Sequence, residues 1–145
     1  MAQGMAFANT DAVDSQDVEY TGGKNGESST LSAGSFVFQD VTADDGITFK
    51  LAAATNLTMP LGVLMEDVPA GAYTAKILKR GNCDIAKVLG HASLAVGVAL
   101  KPVSGQRYVT YSAAAAALDY APWCVAREAY TTTSEGTKKV KLAIP

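Results

Sequence analysis

Histidine is nearly absent: His91 is the single one among 145 residues, with one tryptophan, Trp123, and two cysteines, Cys83 and Cys124. One histidine excludes His–His catalytic pairs. With two cysteines it also falls short of a characteristically spaced four-ligand zinc set. Two cysteines make no disulfide framework. They read as buried small hydrophobes on strands, with a Cys83–Cys124 bridge as the other reading. Charge is scarce as well, at 18% with a net of −2. That leaves no basic field for phosphate backbones, so nucleic acid is not the expected partner. No apolar run approaches the roughly 18 residues of a membrane span. The opening MAQGMAF lacks the basic and apolar regions of a secretory leader. No enzyme, cofactor or membrane association is expected.

What is present favours strands. Thr, Ser, Asp and Gly fill the polar positions, and 13 glycines with 5 prolines punctuate the chain at short intervals. Short strands joined by tight loops suit that spacing, and the fold is expected to be all-β, a small barrel or sandwich with little helix. Residues 1–33 stand apart. Their apolar side chains are isolated, and Gly22, Gly23 and Gly26 interrupt any period. Fixing about 30 such residues would cost on the order of 30–60 kcal/mol of backbone entropy. The segment therefore reads as an extended arm ordered by a partner, with Phe7, Val13, Val18 and Tyr20 as its anchors. Extended, it could reach about 100 Å, and its removal is expected to leave residues 34–145 folded.

Within residues 34–145, alternation predicts strands at 35–41 and 47–51 about an Asp45-Gly46 turn. Further strands are expected at 61–65, 73–79, 83–89, 96–101 and 106–111. A stop is expected at Arg80-Gly81-Asn82, and one helical turn or a loop over 113–117. Pro60-x-x-Val63-x-x-Glu66 recurs as Pro122-x-x-Val125-x-x-Glu128, and Gly71-x4-Lys76-Ile77 as Gly136-x4-Lys141-Leu142. Two similar hairpins, at about 60–79 and 122–144, suggest a pseudo-symmetric small barrel or sandwich.

Candidate chemistry mostly dissolves. Gly22-Gly23-Lys24 lacks the earlier glycine and the helix of a phosphate loop. Asp40, Asp44 and Asp45 lack the spacing of a calcium loop. Glu66 and Glu128 read as solvated strand ends, His91 as a surface-loop residue and Lys138-Lys139-Val140-Lys141 as a charged sheet edge. Asn56-Leu57-Thr58 fits a glycosylation sequon that carries no meaning without secretion. Trp123 with Tyr108, Tyr111 and Tyr120 reads as a core or subunit-interface belt, with Tyr120 and Trp123 the oligomer candidates.

Several stretches carry a family resemblance: Ala33-Gly34-Ser35-Phe36-Val37, Pro60-Leu61-Gly62-Val63-Leu64, Gly81-x-Cys83-Asp84-Ile85-Ala86, Val96-Gly97-Val98-Ala99-Leu100 and Val125-Ala126-x-Glu128-Ala129. In these placements the chain resembles the capsid cement, or head-decoration, proteins of tailed bacteriophages. The resemblance implies a β-barrel or β-tulip domain on the outer surface of the virion capsid. It implies binding to the major capsid protein and homo-oligomers, trimers above all. The other readings are a different virion component (a head fibre base, tail or shell protein) and a carbohydrate-binding β module.

Overall fold

The computed structural model describes residues 18–113 and 123–145. Among them the chain is all-β and barrel-like. The strands are β1 (Glu19–Asn25), β2 (Phe36–Gln39), β3 (Thr48–Lys50), β4 (Pro60–Leu64), β5 (Tyr73–Leu89), β6 (Leu100–Pro102), β7 (Val109–Tyr111), β8 (Cys124–Ala126) and β9 (Glu135–Ala143).

One strand organises the rest. β5 runs unbroken for 17 residues, where the sequence predicts two strands and a turn. Gly81 sits in it at φ +119°, a conformation L side chains rarely adopt. Register shifts again between Cys83 and Ala86. The glycine read as a terminator is therefore a bend inside a strand, which exchanges its neighbours there. Before the bend β5 pairs antiparallel with β1 and β4; after it, antiparallel with β9 and parallel with β7.

Each half of β5 closes a circuit of pairings. The first runs β5–β1–β3–β2–β4 and back to β5. The second runs β5–β7–β6, crosses by the Ala99–Val125 bridge to β8, and returns through β9. We call these the N-terminal and C-terminal barrels.

Residues 19–33 are the main departure from expectation. Rather than an arm, Glu19–Asn25 is a strand between β5 and β3, and buried Leu31 exchanges both backbone hydrogen bonds with Val68. The glycines that hide this strand permit its close pairing. A Cβ on Gly23 would lie 2.7 Å from the Ile47 carbonyl and 2.9 Å from the Phe49 ring, closer than real contacts allow. Deleting residues 1–33 would thus remove a wall of the barrel; residues 1–17 lie outside the described residues.

Two buried clusters follow the alternation of the strands. Leu31, Val37, Phe49, Leu64, Val68 and Ile77 form one. The opposite faces of the same strands supply Phe36, Phe38, Val63 and Leu78 to the other, shared with Cys83, Ala86, Val88, Val109, Cys124, Ala126, Val140 and Leu142. The hairpin of β2 and β3 forms as expected; Asp45 closes it by accepting the Thr48 hydroxyl at 2.6 Å and the Thr48 and Ile47 amides.

Both similar hairpins exist, with different registers. Leu64 stands opposite Ile77, but its counterpart Ala126 stands opposite Val140 rather than Leu142. A slip of two residues keeps the same side chains inward. The strand expected over 96–101 shrinks to β6, because Gly97 takes φ +90° in a turn and leaves Val96 exposed. The helical turn or loop expected over 113–117 lies outside the described residues apart from Ala113.

Candidate partner-binding surface

The expected contact residues are scattered. Phe7, Val13 and Tyr120 lie outside the described residues. Val18, just before β1, and Tyr20, near its start, are 45% and 50% exposed. Trp123 is half-buried, its ring 6.1 Å from those of Phe36 and Phe38. Its aromatic contacts are therefore made within the chain. Sequence reasoning missed Tyr73, which is 67% exposed beside Lys24, with the ammonium 5.9 Å from its ring. A tyrosine opening an alternating strand gives no signal of which barrel face it occupies.

The meeting point of β1, β5 and β9 is the most distinctive geometry. Glu19 pairs with Arg80 on one side of β5 and Ala143 pairs with Arg80 on the other. Both strands run antiparallel to β5. β1 therefore enters at mid-strand and runs toward Tyr73, while β9 enters at Leu89 and leaves at mid-strand. Ion pairs mark the junction: Glu19 lies 3.5 Å from Lys79 Nζ and 4.0 Å from Arg80 Nη1. Buried Ile144 follows, its amide donating to the Lys79 carbonyl at 3.2 Å.

Other polar groups mostly fasten local structure. Glu66 accepts the Thr74 hydroxyl and Glu128 the Lys139 amide, each tying its own hairpin. They form no carboxylate pair. A cleft of about 330 Å³ beside β2 and β3 contains Glu27, Asp40, Lys50 and Asn56. Their bonds are internal: Glu27 accepts the Leu51 amide, Asn56 the Ala53 amide, and Asp40 the Thr42 hydroxyl and amide. The hydrogen bond from the Thr42 hydroxyl chiefly holds the Asp40 carboxyl below the ordinary carboxylate value. The Thr48 hydroxyl chiefly lowers Asp45 to about 2.

Exposed His91 stacks on Tyr111 at 4.6 Å, and its Nδ1 accepts the Ser93 amide. Cys83 and Cys124 are both free and fully buried, so the structure takes the unbridged reading. Burial raises both thiols above their ordinary value. No group of three or more His, Cys, Asp or Glu able to hold a metal occurs among the described residues. Of the lysines of β9 read as a charged sheet edge, Lys141 lies between β5 and β8, opposite Val125, while the register with β8 covers only residues 140–142 of β9. No protein-family model matches the chain, and no curated protein matches it.

Proposed function

We propose that this chain is a capsid cement protein. It would bind the outer surface of a phage head, as an oligomer such as a trimer, and stabilise the lattice of the major capsid protein. The junction at Arg80 carries the reading. Tension drawing the leader and the end of β9 apart along β5 would shear β1 and β9 in opposite directions. In shear the hydrogen bonds of a strand pair load together instead of opening one at a time. Each contributes only about 0.5–1.5 kcal/mol, but β5 shares eight paired positions with β9 and five with β1. A body clasped in this way suits a part that transmits force between neighbours. The leader, residues 1–17 with Phe7 and Val13, is the segment such a body would leave for the shell.

Exposed Tyr20 and Tyr73, on neighbouring strands of the N-terminal barrel, favour a second reading as a carbohydrate-binding module. Co-sedimentation with phage heads separates the two. The cement reading expects the full chain to pellet with heads in fixed ratio to the shell subunit. A chain lacking residues 1–17 should stay folded and bind more weakly. Binding to glycans without binding to heads would overturn it.

A further inference from the structure

Charge is placed unevenly on the C-terminal barrel. Along β9, exposed Lys139, Lys141 and Ala143 alternate with buried Val140 and Leu142. Across the register, exposed Asn82 stands opposite Lys141 and exposed Arg80 opposite Ala143. Asp84 is the acid of this stretch of β5, and Arg127 engages it at 2.9 Å. Lys76, Lys79 and Lys138 have carboxylate partners. Lys139 and Lys141 have none among the described residues.

The sequence before β1 has the complementary sign. Asp11, Asp14 and Asp17 precede Glu19, and no Lys or Arg occurs before Lys24. The last of these four carboxylates already sits at the edge of the lysine face, through its ion pairs with Lys79 and Arg80. Because β1 is antiparallel to β5, its N-terminal end points from Arg80 toward Asn82. Lys141 and then Lys139 lie in that direction too, on the opposite edge of β5, so the segment reaches them by crossing the exposed face of β5 at Asn82. The spacings are compatible. Two lysines two residues apart on a strand stand about 7 Å from each other, and two aspartates three apart on an extended chain about 10 Å. Lysine stems are long enough to take up the difference.

We propose that the outer face of β9, with Arg80 and Asn82, is the docking surface for the acidic segment 11–17 of the same chain, with Lys139 and Lys141 as its principal partners. Tethering at Glu19 gives the segment a high effective concentration over this face, so exposed ion pairs that are weak singly suffice. The contact weakens with salt, and any partner that takes the leader competes with it. It concerns the free protein and stands independently of the capsid reading.

Carbodiimide cross-linking of the full chain tests it, using an equal mixture of ordinary and nitrogen-15-labelled protein. Links from Asp11, Asp14 or Asp17 to Lys139 or Lys141 should be intrachain. They should fall about threefold to tenfold in about 1 M salt, which leaves both amines in place, and hold steady in K101E. Links joining labelled to unlabelled chains would overturn the proposal, as would links spread evenly over Lys24, Lys87 and Lys101. A second measurement does not depend on cross-linking. Deleting residues 1–17 should shift the amide resonances of Asn82, Lys139 and Lys141, and unmoved resonances would contradict the docking.

Discussion

The two barrels share a strand but fill their interiors differently. The N-terminal barrel packs bulky side chains, Val37, Phe49, Leu64 and Ile77, with Leu31 and Val68 from its loops. The C-terminal barrel mixes small side chains, Cys83, Ala86, Cys124 and Ala126, with larger ones such as Val88, Val109, Val140 and Leu142, and its cluster is completed by Phe36, Phe38, Val63 and Leu78 from the strands of its neighbour. The N-terminal barrel thus uses both faces of β2, β4 and β5, one for itself and one for the other barrel. Dependence runs one way in packing and both ways through β5. The pair should therefore unfold as one unit.

The largest test of that comparison is Phe38→Ala, which empties the contact between the barrels. It should destabilise the protein by about 3–5 kcal/mol, read by urea denaturation. Phe49→Ala, inside the N-terminal barrel, should cost about the same. Trp123 fluorescence reports the contact between the barrels, because its ring lies against Phe36 and Phe38. In the Phe49→Ala variant it should follow the same transition as the far-ultraviolet signal. Separate transitions would mean that the shared strand does not couple the barrels.

Gly81→Val comes next. A branched side chain at φ +119° should cost about 1–3 kcal/mol from backbone strain, and both barrels should lose stability together. A variant that weakened one barrel alone would contradict the bend as their common hinge. Acid produces a smaller and more local effect. The folded-state pKa of Asp45 is depressed from 3.8 to about 2, so its contribution is present above about pH 4 and lost as pH falls toward 2. Asp40 acts in the same direction. Amide exchange in the hairpin of β2 and β3 should rise across that window, and Asp45→Asn should remove most of the rise. Smallest of all, Lys139→Glu with Lys141→Glu changes only exposed positions and should move stability by no more than about 0.5 kcal/mol. Native Cys83 and Cys124 should react with thiol reagents only as fast as the chain opens.

The fold class was legible from composition and from the alternation around Asp45-Gly46, as was the hairpin turn there. What misled was glycine. Gly22, Gly23 and Gly26 read as breakers and hid β1, although at Gly23 the lack of a side chain is what allows the strand to approach β3. Gly81 read as a stop because a bend within a strand and a turn between strands use the same residue. Local pattern cannot tell them apart, since the difference lies in which distant strands pair on either side. The buried state of both cysteines agreed with their reading as small hydrophobes. The meeting of β1 and β9 at Arg80 left no trace in the sequence, because it depends on pairings more than 60 residues apart.

The clasp on β5 is tested most directly by single-molecule pulling. Handles at residues 18 and 145 load β1 and β9 in shear along β5. Handles at His91 and Thr133, beside the paired ends Leu89 and Glu135, open the β5–β9 pair from one end. The account predicts that the first geometry withstands a markedly higher force than the second. Equal forces, or a weaker first geometry, would contradict it.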